Sequence, residues 1–302
     1  MIRPPALLAA LLWLAPVTAG RAQSPAAPMR YIHSAPESVL DQRCIYPWKI
    51  LEAALERTRP AYGDYVLLTG EVMNESRQVA EMRRATGAPT VMYRGTSDEQ
   101  ERDFLPIRIP VDKDLAGYGV FLIRKEQAAH FAGVATLDAL KPFRFGVGLG
   151  RMDVRILQAS GLTVVTGSTH EGLFDMLNND RFDVLLRSTA EINDDVEARK
   201  MLFPDLMIEP GLILYYPMPM YFWFPRTDEG HRLARRAEEG MRAMIADGTY
   251  DRIFAEYNGP KIEALGLTQR RLIRIPNPNL GPETPLADRE LWFDPATYPS
   301  AQ

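Results

Sequence analysis

The sequence predicts an α/β protein of two lobes, the second inserted into the first. Three observations carry this. Short β-like runs alternate with helical patterns almost throughout, which is the signature of a mainly parallel sheet flanked by helices. Two long extended stretches, residues 104–125 and 207–226, break that rhythm. Between them lies a complete second set of alternating strands and helices, so the chain crosses twice between the lobes through paired extended segments that form a two-strand hinge.

The elements follow in order. "MRYIHSA" reads as a strand. "YPWKILEAALERT" reads as a helix with Ile50, Leu51, Ala54 and Leu55 on one face. "DYVLLTG" is a second strand, "NESRQVAEMRRATG" a helix opened by Asn74 and stopped by Gly87, and "PTVMYRG" a third strand. The inserted set runs "TLDALKP", "FRFGVGLG", "MDVRILQASG", "LTVVTG", "THEGLFDMLNNDR", "FDVLLRS" and "AEINDDVEARKML". Two helices, "TDEGHRLARRAEEGMRAMIADG" and "TYDRIFAEYNG", follow the second crossing. The aromatic block "YYPMPMYFWF" reads as hinge and core strand, with Tyr215, Tyr216 or Tyr221 available to floor a cleft. The Pro- and Asn-rich segment 263–302 is expected to lie extended on the first lobe, anchored by Trp292 and Phe293.

The first residues, "MIRPPALLAALLWLAPVTAGRAQS", combine a positive start, a short apolar stretch and small residues at a cleavage site. They predict a secretory signal peptide over 1–22, cut near Ala19 or Ala22, and hence a periplasmic protein. Removing it takes Arg3 and Arg21 but no acid, so the formal charge of −4 becomes −6. An acidic chain of this kind is a poor nucleic-acid partner. Cys44 is the single cysteine, and the four histidines are scattered without metal-ligand spacing, so neither a disulfide nor a metal or cofactor is expected. The expected boundaries are 23–112 and 216–262 for the first lobe and 113–215 for the inserted one.

The stretch "FRFGVGLGRMDVRIL" poses the sharpest question. Its glycines, Gly146, Gly148 and Gly150, are spaced G-x-G-x-G, not the dinucleotide G-x-G-x-x-G. No carboxylate closes the next strand and no lysine follows as in a phosphate loop. The alternative is a strand end and helix start that bring backbone N–H groups close to an anion. Asp153 has two open roles here, helix cap or ligand contact. Arg94 and Thr96 close the strand "PTVMYRG", where α/β sheets present ligand loops. Glu37, Ser38 and Asp41 follow the first strand, Glu37 being favoured as a ligand contact.

Several stretches together carry a family resemblance: "TSDEQERDFLPI", "TLDALKPFRFGVGLG", "THEGLFDMLNNDRFDVLL" and "LARRAEEGMRAMIADGTYDRIFAEY". Over residues 29–260 the chain resembles type II periplasmic solute-binding proteins, family 3, which deliver polar amino acids to ABC transporters. The stretches "IRIPVDKDLAGYGVFLI" and "NPNLGPETPLADRELW" resemble a divergent subgroup of it. The resemblance implies the two-lobed binding-protein fold, a small-molecule solute, no cofactor, a monomer, and an ABC permease or membrane sensor as partner. It assigns Arg102, five residues after Ser97, as the arginine that clamps a carboxylate, and Gly150, Arg151 and Met152 as the opposing loop. The family's amine-binding aspartate falls at Ser188, where no acid stands. Arg102, Arg151 and Arg187 then make the cleft positive and the solute anionic. A non-enzymatic binding protein is the expectation. The alternatives are a dehydratase-like enzyme using Glu37, Asp153 or Glu191, and a protein-binding signalling module.

Overall fold

The computed structural model describes residues 27–36, 45–73 and 75–298. The expected signal peptide, and Glu37, Ser38, Asp41, Cys44 and Asn74, lie outside the described residues. In chain order the first lobe begins with β1 (Met29–Ala35), α1 (Ile45–Arg57), α2 (Arg59–Tyr62), β2 (Tyr65–Val72), α3 (Glu75–Arg84), β3 (Met92–Gly95), α4 (Asp98–Asp103) and β4 (Phe104–Ile107). The chain then crosses to β5 (Tyr118–Arg124), α5 (Ala128–Phe131), α6 (Leu137–Leu140), β6 (Arg144–Gly148), α7 (Asp153–Ala159), β7 (Thr163–Gly167), α8 (His170–Asn178), β8 (Val184–Ser188), α9 (Ile192–Arg199), β9 (Leu206–Ile208) and β10 (Leu212–Tyr215). It returns through β11 (Met220–Pro225), α10 (Asp228–Ala246) and α11 (Thr249–Ala264), and adds β12 (Arg271–Arg274).

The first lobe pairs β1 with β2 in parallel and sets β11 antiparallel between β3 and β4. Its core joins Tyr31 and Ile50, Ala54 and Leu55 of α1 to Phe222 and Phe224 of β11 and to Leu233, Ala237 and Met241 of α10. The block "YFWF" is therefore core, with Tyr221, Phe222, Trp223 and Phe224 all fully buried. In the second lobe β5 is central, antiparallel to β8, β9 and β10, and β6 pairs in parallel with β7 and β8. All seven β5 residues are buried. Phe121 and Ile123 face one layer and Val120 and Leu122 the other, as period-two alternation in a doubly covered strand requires. Threonines Thr136, Thr169 and Thr227 cap α6, α8 and α10 by accepting from Ala139, Gly172 and Gly230 N–H.

The segment after 263 differs from expectation. It is neither wholly extended nor confined to the first lobe. Arg271–Arg274 forms an edge strand of the second lobe's sheet, parallel to β10. The chain then runs back across the hinge. Leu291 joins the first-lobe core, while Phe293 packs with Tyr118, Phe254 and Tyr298 beside the second lobe. Tyr118 Oη donates to Phe293 O at 2.7 Å, and Phe293 N donates to Lys113 O at 2.7 Å. An apolar pattern punctuated by proline does not reveal a strand of four residues whose partner lies some sixty positions away.

The two crossings are joined where they meet. Val111 N donates to Met220 O at 2.8 Å and Tyr216 N to Gly117 O at 3.1 Å. Asp114, buried and left-handed at φ 64°, accepts from Tyr215 Oη at 2.9 Å and from Met218 N at 2.8 Å. Asp112 lies beside it and accepts from the Asp114 and Ala116 N–H groups. The surrounding titratable groups are phenols: Tyr46 and Tyr250 near Asp112, Tyr118 and Tyr215 near Asp114. Burial pushes Asp112 up to about 6, and burial together with Asp112 holds Asp114 well above the carboxylate range. A raised native value means that the unfolded chain ionises first. Stability is therefore lost as pH rises from about 4, the unfolded value, through about 6. Asp114→Asn, which copies the protonated acid and suits a left-handed backbone, is expected to melt higher than the parent at pH 7.5 and to level with it near pH 4. Melting curves across that range check this, and equal gains at both ends would refute it.

Candidate functional site

The candidate site lies where the second lobe's glycine loop meets the end of β3. Of the three glycines only Gly150 has a left-handed backbone, φ +83°. Gly146 is small for a different reason: a Cβ there would fall 2.2 Å from Phe182 Cζ. Inside the loop, Arg151 N donates to Gly148 O and Val154 N to Arg151 O, both at 3.3 Å, so two N–H groups are spent on the turn itself. Asp153 is not the cap of α7. Its buried carboxylate accepts from Tyr216 Oη at 2.9 Å and from Arg151 Nε at 2.8 Å. Burial, with Asp153 alongside, drives the Tyr216 phenol well above its usual range and keeps it a donor. Arg151 remains 41% exposed.

Met152 reaches across to the first lobe. A Cβ built on Gly95 would lie 2.7 Å from Met152 Cε, 3.5 Å from Met220 Sδ and 3.9 Å from Met218 Cγ. Arg94, half-buried on the same strand, is fixed by Gln100. With its amide turned so that both ends are satisfied, Gln100 accepts from Arg94 Nε and donates to Gly95 O, each at 2.9 Å. Thr96 is buried and donates to Glu101 Oε1 at 3.2 Å; Glu101 Oε2 accepts from Arg108 at 2.7 Å.

Arg102 lies elsewhere. Ser97 caps α4, which puts Glu101 toward Thr96 and Arg108, and Arg102, about 100° further round, faces solvent. Its carbonyl accepts from Arg226 Nε at 3.2 Å. The carboxylate-clamp role is thus not placed in the cleft, and Arg108 is the arginine half-buried on that side. Ser188 is half-buried at the end of β8 and accepts from Ala190 N at 3.2 Å. Next to it Arg187 is 8% exposed and doubly paired, Nε to Asp195 at 2.7 Å and Nη2 to Glu191 at 2.6 Å. Burial would raise Asp195, but the bond from His170 and the charge of Arg187 outweigh it and hold the carboxyl low. Arg151 and Arg187, two of the three arginines expected to make the cleft positive, each carry their own acid. Met218, Met220 and Gly95 were absent from the sequence-based candidates; the only local signal was the pair of methionines flanking Pro219 in the crossing.

No family model and no curated protein matches the chain. Solved structures do. An ancestral arginine-binding protein bound to arginine superposes with a TM-score of 0.50 at 15% identity, over 76% of this chain and 97% of its own. The amino-acid ABC transporter substrate-binding protein AbpA of Streptococcus pneumoniae, bound to L-arginine, gives 0.51 at 13%, covering 78% and 97%. The fold is that of the type II periplasmic binding proteins. A third relative of this binding-protein fold is the ancestral amino-acid-binding protein AncCDT-1, a precursor of cyclohexadienyl dehydratase, with a TM-score of 0.51, 13% identity and coverage of 76% and 95%. At these identities the common property is the binding-protein fold, and the cleft chemistry is this chain's own.

Proposed function

We propose that the chain is an extracytoplasmic solute-binding protein that closes its two lobes on a small polar solute and presents the closed form to an ABC permease or a membrane sensor. The observation that supports this best is the contact of Met152, from one lobe, with Gly95, from the other, beside a glycine loop at Gly150. Such a contact draws the two lobes together, and a solute that binds the shut form more tightly shifts the population toward it. Among the described residues no helix is long and apolar enough to cross a membrane. The solute carries one acidic group, and Arg151, exposed at the cleft, keeps Asp153 on its Nε and offers its terminal nitrogens to that group. Thr96, Arg94 and Ser188 frame the polar rim.

Titration calorimetry and thermal shift of the full chain against amino acids and organic acids test this. A ligand at about a hundred times its Kd stabilises by roughly 2.7 kcal/mol, lifting the melting point by several degrees. Arg151→Ala is expected to weaken binding about 10- to 100-fold, the scale of a charge-assisted hydrogen bond. Arg102→Ala is expected to leave it unchanged. Loss of binding in Arg102→Ala with full binding in Arg151→Ala would reverse the assignment.

A further inference from the structure

We propose that the solute carries a compact apolar group and that Gly95, Met152, Met218 and Met220 form the subsite that receives it. This rests on the solute-binding reading above and adds the chemical class: a monocarboxylic acid or amino acid whose side group is aliphatic, thioether or aromatic and carries no charge.

Three methionine side chains from separate segments converge on one residue without a side chain. Met220 pairs with Gly95 across the β3–β11 ladder, Met218 stands two residues earlier in the crossing, and Met152 comes from the other lobe. The backbone of Gly95 does not demand glycine, since its φ lies outside the left-handed range; what the missing side chain supplies is room. That room is now filled by the Met152 methyl group. Met152 and Met220 are half-buried, so they are within reach of a molecule entering the cleft.

Thioethers donate no hydrogen bond and accept only weakly, but they are polarisable and have three rotatable bonds, so they reshape around apolar groups of different outline. A guanidinium or second carboxylate placed among them loses its hydration and gains no partner. Nor do neighbouring groups stand ready to supply one. Asp153 is engaged by Arg151 and Tyr216, Glu101 by Thr96 and Arg108, and Asp114 by Tyr215 and the Met218 N–H. The solute's apolar group takes the place of the Met152 methyl over Gly95, and Met152 swings to cover it. The arginine held by the superposed relatives is, by this chemistry, a poor fit.

The test is calorimetry on the full chain with L-leucine, L-methionine, L-phenylalanine and phenylacetate, set against L-arginine, L-glutamate and glycine. At least one apolar compound is expected to bind ten or more times tighter than arginine and glutamate. Gly95→Ala, which fills the space, is expected to weaken that compound about tenfold, the scale of one methylene in an apolar pocket. Met220→Gln keeps the length and adds an amide, and is expected to weaken it similarly; it serves as the second variant if Gly95→Ala melts early. Arginine or glutamate binding as tightly as the apolar compounds overturns the subsite while the solute-binding reading stands. Unchanged affinity in both variants likewise overturns the subsite. Binding of none of the seven compounds overturns the subsite, and failure across the wider panel of acids removes the solute-binding reading with it.

Discussion

Gly240→Val is expected to lower the melting temperature by on the order of 10 °C. Gly240 lies where α10 crosses α1, and a Cβ there would sit 2.1 Å from Ala54 O, 2.6 Å from Ala54 C and 2.8 Å from Ala54 Cα. These are backbone atoms, so no rotamer change relieves the clash, and the two helices must separate. Separation opens the seam between Ile50, Ala54 and Leu55 on one side and Leu233, Ala237 and Met241 on the other. Overpacking alone costs about 1–3 kcal/mol and exposure of that seam adds to it. At roughly 2–4 °C per kcal/mol for a chain of this size the shift is large. Gly133→Ala is the matched control, because nothing lies within 4 Å of a Cβ there. A Gly240→Val protein that melts within a degree of the parent would mean the helices are not packed as described.

Arg236→Leu is expected to cost about 3–5 kcal/mol, read as a fall in the urea midpoint at unchanged slope. Arg236 has no exposed surface, yet it forms no ion pair with an acid among the described residues. Its guanidinium donates to Thr58 Oγ1 at 3.2 Å, Leu55 O at 3.3 Å, Gly63 O at 2.7 Å and Asp64 O at 3.3 Å. It also stands 5.6 Å and 5.3 Å from the ring centres of Tyr62 and Tyr65. It closes the carbonyl ends of α1 and α2 in place of water. Leucine fills part of the volume but removes the charged donor from the Gly63 and Asp64 carbonyls and leaves Leu55 O with Thr58 Oγ1 alone of its side-chain donors. Arg236→Lys keeps the charge without the fork, and an intermediate loss is expected. A leucine variant as stable as the parent would show that water takes over the carbonyls.

Local signals in the chain proved readable. The alternation of strand and helix patterns acts over a few residues at a time, and the α/β architecture follows from it. What lay beyond reading was set by contacts distant in sequence. "LARRAEEG" looks like a solvated helix face, and only the approach of α1 makes Arg236 a core residue. Arg102 keeps the spacing of the clamp residue, but the Ser97 cap turns it outward and gives Glu101 the inward place. The Asp114 bridge to Tyr215 and the Met152 contact with Gly95 join residues 101 and 57 positions apart. Neither leaves a trace in local composition.

The place of β12 in the second lobe bears on the order in which the molecule can be completed. β10 is flanked by β5, made long before it, and by β12, made more than fifty residues after it. A chain emerging N-terminus first therefore holds the inserted lobe with one edge unpaired while all of β11, α10 and α11 are still to come. An open sheet edge is a ready template for other strands. The lobe that is whole in sequence is thus unfinished in time, and the segment made after α11 both seals that edge and ties it, through Leu291 and Phe293, to the first lobe.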